Sequence, residues 1–244
     1  MSGHSKWATT KHQKARTDAK RSNLFTKLAN NISVAARSGG DIEMNYGLRL
    51  AVDKAKAANM PKDNIERAIK RGTGELGGAQ LESITYEIYG PNGSAILAEA
   101  LTDNKNRTSA DVKSILNKKG GKLASSGAVS YLFSRRGVIV VSIDGQSVED
   151  IEMEVLDSGA EDYMETPASP TGVDGGIVVY TKPEKLREVS EILEKSGLKI
   201  ASKEITLEPK ETVELSEEDS QKVINLLEAL DDLDDITEVN SNLG

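Results

Sequence analysis

The sequence predicts an α+β protein of three domains: an N-terminal helical bundle and two ferredoxin-like α/β sandwich domains, one inserted in the other. Three observations carry this expectation. Apolar residues recur at helical spacing three times before Gly72, where a glycine-rich stretch follows. Residues 138–207 read strand-helix-strand-strand-helix-strand, the split βαβ order. The chain ends on a helix and a strand without partners of their own, and these complete the strands and helix read in residues 80–133. Such an insertion asks that the inserted module's ends lie close together. The divisions drawn this way are a basic arm, 1–20; a helical domain, 21–78; a discontinuous α/β domain, 79–134 plus 208–244; and an inserted βαββαβ domain, 135–207.

The first helix is expected from Ser22, with Leu24, Phe25, Leu28, Ile32 and Ala35 on one face and Gly39-Gly40 as its end. The second carries Leu48, Ala51, Val52 and Ala55 at i, i+3, i+4, i+7. The third starts near Pro61, a residue tolerated in a first helical turn, and turns Ile65, Ala68 and Ile69 inward. Strands are expected at 84–89 and 94–101, joined by the turn Gly90-Pro91-Asn92-Gly93. A helix capped by Thr108 and stopped at Gly120-Gly121 follows, then a strand at 128–133. The inserted module holds strands at 138–143, 162–166, 176–181 and 199–207, with helices at 148–156 and from Pro183. A helix at 217–230 and a strand at 236–239 close the chain.

Composition narrows the function. The chain has no cysteine, which removes disulfides, thiolate catalysis and cysteine-based zinc sites. Its two histidines, His4 and His12, both lie in the arm with Asp18 as the only nearby acid, too few ligands for a metal. A Ser-His-Asp triad in the folded body is excluded for the same reason. The glycine-rich stretches at 72–78 and 120–127 match neither a P-loop nor a dinucleotide fingerprint. The expectation is a non-enzyme without cofactor, metal or small-molecule substrate. No apolar run is long enough to span a bilayer, so no membrane partner is expected. The basic start lacks an apolar h-region and favours Lys over Arg, which speaks against secretory and transit signals and for the cytoplasm.

Charge is unevenly placed. The net charge is -8, yet residues 1–38 hold eight Lys and Arg against the single acid Asp18. Lys and Arg neutralise phosphates and release counterions, and local charge is what a phosphate backbone meets. Lys6, Lys11, Lys14, Arg16, Lys20, Arg21 and Lys27 are therefore candidate nucleic-acid contacts. Trp7, the only tryptophan, joins them as a ring able to stack on an unpaired base. Arg67, Lys70 and Arg71 face outward on the third helix, and Arg107 sits at a helix N-terminus, where anions bind. Plain capping chemistry is the simpler reading of the Thr102–Thr108 loop. The acids Asp231, Asp232, Asp234 and Asp235 read as a solvated turn at a helix C-terminus.

Several ordered motifs are recognisable: Gly3-His-Ser-Lys-Trp7, Phe25-Thr-Lys27, Ala51-Val-Asp-Lys-Ala55, Asn59-Met-Pro-Lys-Asp63, Ala68-Ile-Lys-Arg-Gly72, Thr102-Asp-Asn104 with Asn106-Arg-Thr108, and Tyr131-Leu-Phe133. Together they make the whole chain resemble the YebC/PmpR family, which includes the mitochondrial translational activator of cytochrome c oxidase. The sequence departs from the family pattern at residues 42–46, which lack the more usual proline, and around Gln13. The resemblance implies a helical N-terminal domain and two α/β domains. It also implies a non-enzymatic regulator of gene expression under two descriptions. One is a DNA-binding transcriptional regulator. The other is a ribosome-associated translation factor that binds ribosomal RNA and relieves stalling, notably at proline-rich stretches. The residues show no helix-turn-helix with a base-reading helix, and a Lys-rich arm with one aromatic suits shaped RNA as well as DNA. A protein-interaction scaffold built on the acidic body is a third reading.

Overall fold

The computed structural model describes residues 18–77, 81–143, 147–166 and 176–244. The arm up to residue 17 and part of the glycine-rich stretch after Gly72 lie outside the described residues. Contacts divide the chain into two compact units, Ser134–Glu208 and the remainder.

In the larger unit the apolar periodicity folds into three packed helices. Helix α1 spans Asp18–Ala35, starting four residues before Ser22. Helix α2 spans Tyr46–Ala57 and is capped by Asn45, whose Oδ1 accepts the Leu48 N–H at 3.0 Å. Helix α3 spans Lys62–Gly72. Leu28, Ile32, Leu48, Val52, Ala55, Ile65 and Ala68 meet in one core. Gly72 does more than stop α3: a Cβ there would stand 2.7 Å from the Ala36 Cβ, and Ser33 Oγ donates to the Ala68 carbonyl at 2.9 Å. The absence of a side chain is what lets the end of α3 lie against α1.

The first sheet is built on a hairpin. Strands β1 (Glu82–Tyr89) and β2 (Ala95–Thr102) pair antiparallel, from Glu82↔Thr102 to Tyr89↔Ala95. Helix α4 (Lys105–Lys119) leads to the two-residue strand β3 (Lys122–Leu123), which pairs with the end of β1. Near the end of the chain, helix α7 (Glu217–Asp231) precedes strand β8 (Ile236–Ser241), which pairs with β2. The order is β3-β1-β2-β8. Ile88, Ile96, Ala98, Val112, Leu116, Val223, Leu226, Leu227 and Val239 form the core between this sheet and its helices.

Three expectations are corrected here. The central pair of this sheet is a hairpin, so it lacks ferredoxin-like connectivity, in which the central strands are joined through helices and other strands. Residues 128–133 are not its third strand, because the N–H groups of Gly127, Val129 and Ser130 donate to the Glu87 carboxylate instead of a ladder. Helix α4 is capped by Asn104, whose Oδ1 accepts the Arg107 N–H at 3.1 Å, while Thr108 lies inside the helix and is buried.

The helices and the first sheet fall in the same unit, and polar bonds join them. The Lys27 ammonium reaches the carbonyl and carboxylate of Asp231, Asn23 Nδ2 donates to the Asp232 carbonyl at 2.7 Å, and Arg37 Nη2 donates to the Leu81 carbonyl.

The smaller unit runs β4 (Phe133–Ser142), α5 (Val148–Asp157), β5 (Asp162–Thr166), β6 (Gly176–Thr181), α6 (Leu186–Lys195) and β7 (Lys199–Pro209). Its sheet order is β5-β6-β4-β7. Ile139, Val141, Ile151, Val155, Ile177, Val179, Leu186, Val189 and Leu193 are fully or almost fully buried in it.

Candidate nucleic-acid interface

The described helices carry a short basic face. Arg67, Lys70 and Arg71 stand at i, i+3 and i+4 on α3 and are exposed. Ile65 and Ala68 bury the other side of the helix. Arg71 Nη1 donates to Asn30 Oδ1 of α1 at 3.3 Å, which ties this face to the first helix. Lys70 and Arg71 also occupy the last turn, where the helix dipole favours cations. Arg21 is exposed on α1, and Lys20 falls in its first turn. Lys6, Trp7, Lys11, Lys14 and Arg16 lie outside the described residues.

Two of the expected contacts are engaged within the fold. Lys27 is buried, and its ammonium lies 3.1 Å from Asp231 Oδ1 as well as on the Asp231 carbonyl. It satisfies the C-terminal end of α7 from outside that helix. Arg107 bonds Asp103 Oδ1 at 3.0 Å and Asp235 Oδ2 at 3.0 Å. The Asp235 hydrogen bond and charge, with those of Asp103 behind them, raise the Arg107 pKa above its ordinary value.

Asp235 is the centre of a polar knot. It accepts from Thr102 Oγ1 at 3.1 Å, Thr108 Oγ1 at 2.7 Å and Arg107 Nη2. Burial works to raise its pKa, but the bonds from Thr108, Arg107 and Thr102 outweigh it and hold the carboxyl below its ordinary value. The loop between β2 and α4 is therefore clamped to the turn before β8. Its polar residues are used in holding that turn, as capping chemistry suggested, and the guanidinium faces two carboxylates rather than an empty anion site.

Exposed lysines elsewhere were not among the sequence candidates. Lys113, Lys118, Lys119 and Lys122 are exposed around the end of α4 and β3. Their signal was present in the run Lys118-Lys119-Gly120-Gly121-Lys122, which reads first as a helix stop. Gly120 does stop the helix, in a left-handed conformation with φ 81°. Among the described residues no group of three or more His, Cys, Asp or Glu is placed to hold a metal ion. No described helix is long and apolar enough to cross a membrane.

These features define an α+β protein with N-terminal helices and two four-stranded antiparallel sheets. The same architecture occurs in the crystal structure of the conserved hypothetical protein Aq1575 from Aquifex aeolicus. That chain superposes with a TM-score of 0.86 at 46% identity, covering 98% of this chain and 97% of that one. Residues 5–75 match the TACO1/YebC protein N-terminal domain, and residues 81–243 match the TACO1/YebC second and third domain. The chain belongs to the TACO1/YebC family. A probable transcriptional regulatory protein of Caldanaerobacter subterraneus is 48% identical, covering 100% of this chain and 98% of that protein. One of the same description from Thermotoga maritima is 49% identical, covering 99% and 93%.

Proposed function

We propose that this protein is a cytoplasmic regulator of gene expression that binds nucleic acid through its basic N-terminal end, as a DNA-binding transcriptional regulator. The observation that carries the reading is where the charge lies. Residues 134–208 hold 16 acids and 8 bases, and the rest of the chain holds 23 of each, so the whole net charge of -8 belongs to the smaller unit. Within the balanced remainder, the bases crowd into residues 1–38. The exposed Arg21, Arg67, Lys70 and Arg71 continue that charge onto the helices. The names of the relatives point the same way. In this reading the chain comprises an arm, a helical domain, a discontinuous α/β domain, and an inserted domain whose sheet order fits a ferredoxin-like sandwich.

The test is the salt dependence of binding to duplex DNA. If the basic end makes about six phosphate contacts, affinity should fall on the order of a thousandfold between 50 and 200 mM salt. Removing residues 1–17 should abolish most of the binding while leaving the thermal melt in place. A salt-independent affinity would overturn the electrostatic reading. Crosslinking in cells separates the two regulatory descriptions, since recovery of ribosomal RNA in place of promoter DNA would select the translation factor.

A further inference from the structure

Tyr89 and Tyr131 are the exposed aromatic side chains among the described residues, at 48% and 64%. Side chains alternate along a strand, so Glu87 and Tyr89 share one face of β1. Tyr86 and Ile88 take the other face, toward the core with α4 and α7. Lys122 is the register partner of Tyr89 on β3 and is itself exposed, which sets an ammonium beside the ring. Lys118 and Lys119, exposed in the last turn of α4, stand a few residues before it.

The loop that leads into Tyr131 is held by the same strand. The Glu87 carboxylate accepts the N–H of Gly127 at 2.6 Å, of Val129 at 2.6 Å and of Ser130 at 2.8 Å. A buried carboxylate thus fixes the backbone of a loop whose Ser125, Ser126, Gly127 and Ser130 are all exposed. Tyr131 follows directly, and its carbonyl accepts from Lys210 Nζ at 2.8 Å. Both tyrosines therefore sit close along the chain to the bonds that order the loop. Tyr89 is two residues along β1, and Tyr131 is one residue beyond Ser130. Lys122 is the cross-strand partner of Tyr89, and Lys210 bonds the backbone of Tyr131.

We infer that Tyr89 and Tyr131, with Lys122 and Lys210, form a stacking site for unpaired nucleotides, distinct from the N-terminal arm. The inference rests on the nucleic-acid reading proposed above. Every base has a π-face, so ring stacking accepts any sequence. Ammonium groups beside the rings meet the phosphates between stacked bases, and Lys210 keeps two donors after its bond to the Tyr131 carbonyl. A duplex hides its base faces and cannot use the rings. A loop already fixed by Glu87 loses little freedom when it is contacted.

The experiment measures fluorescence anisotropy of labelled 12-nucleotide oligo-uridine, oligo-thymidine and a 12-base-pair DNA duplex at one salt concentration. The proteins are the full chain and its Tyr89→Ala, Tyr131→Ala, Tyr89→Phe and Tyr131→Phe variants. Each alanine variant should weaken single-strand binding on the order of tenfold. Each phenylalanine variant should restore it, and duplex binding should not change. Loss on oligo-uridine alone assigns the site to RNA, and equal loss on both strands assigns it to either sugar. The inference is overturned if the alanine variants bind single strands like the full chain, if phenylalanine fails to restore binding, or if the duplex weakens equally. If the unaltered chain binds the duplex while its tyrosine variants change nothing, the stacking site alone fails. If it binds none of the three probes, the proposed function fails with it.

Discussion

Glu87→Gln removes one negative charge and half of an acceptor pair from the larger unit. The carboxylate is 8% exposed, takes the N–H of Val129 and Ser130 on Oε2, and takes that of Gly127 on Oε1. A glutamine oxygen in the Oε2 position keeps two of these bonds but makes them neutral, at about half their former strength. Its amide NH2 then faces the Gly127 N–H, donor against donor. One unsatisfied donor costs about 1–3 kcal/mol, and two weakened charge-assisted bonds add roughly 1–2 kcal/mol. The loop should therefore lose about 2–5 kcal/mol of protection, read as roughly thirtyfold to several-thousandfold faster amide exchange at Gly127, Val129 and Ser130. The effect should depend on pH. Burial acts to raise the Glu87 pKa, but the three backbone bonds and that of the Ser130 side chain outweigh it and hold the value below 4.5. A depressed folded pKa gives stability that is present above the ordinary value and lost as pH falls through the folded one. The gap between the native chain and the variant should accordingly be full at pH 7 and close below about pH 4.5. Exchange rates equal within threefold at pH 7, or a gap that widens as pH falls below about 4.5, would refute this account of the loop.

Three further substitutions address the packing of the larger unit. Lys27→Met keeps the aliphatic stem and drops the charge. Because Asp231 is 38% exposed and can rehydrate, the loss should be about 1–2 kcal/mol in a thermal melt, with nucleic-acid affinity and its salt slope unchanged; an unshifted melt with weakened binding would make Lys27 a phosphate contact after all. Gly72→Ala gains helix propensity but sets a Cβ 2.7 Å from that of Ala36, so the melt should drop by the equivalent of about 1–3 kcal/mol, and a rise would show that α1 and α3 separate freely. Leu243→Ala empties a fully buried position in a tail held to β2 by the Asn242 and Ala95 bonds, at 2.7 and 3.1 Å; urea unfolding should report a loss of about 2–5 kcal/mol, and a loss under 1 kcal/mol would mean that the tail is not part of the core.

Much of the fold was legible because it is local. The helical spacing of Leu48, Val52 and Ala55 needs nothing outside α2, and the β-branched run 138–141 announces its own strand. The bounds of β5 and β6 coincide with the expected ones, since each strand is set off by turn residues. What failed depends on distant partners. Residues 128–133 have strand composition, but the N–H groups of Val129 and Ser130, like that of Gly127 before them, are claimed by a carboxylate some forty positions earlier. Thr108 looks like a cap, yet Asn104 takes that role because Thr102 and Asp235 draw the Thr108 hydroxyl inward. The first hairpin was expected from its turn, but its place at the centre of the sheet depends on β3 and β8, whose pairing periodicity does not encode.

The same distinction governs the candidate interface. Read along the chain, the acids at 231–235 form a group with no cation in it, and Lys27 and Arg107 form part of a basic surplus. In the folded unit they are each other's counterions: Asp231 answers Lys27 across 204 positions, and Asp235 answers Arg107 across 128. Cancelling these pairs answers two of the four acids of the turn and strips the basic list of two members. What remains for a phosphate backbone is the arm, Arg21 and the Arg67, Lys70 and Arg71 face, together with the lysines around β3. The net charge of -8 resides in residues 134–208, and the unit that carries these bases is balanced. Lys27–Asp231 and Arg107–Asp235 are thus two of the places where the larger unit neutralises its own acids, and the proposed interface is better read from the bases left outside such pairs.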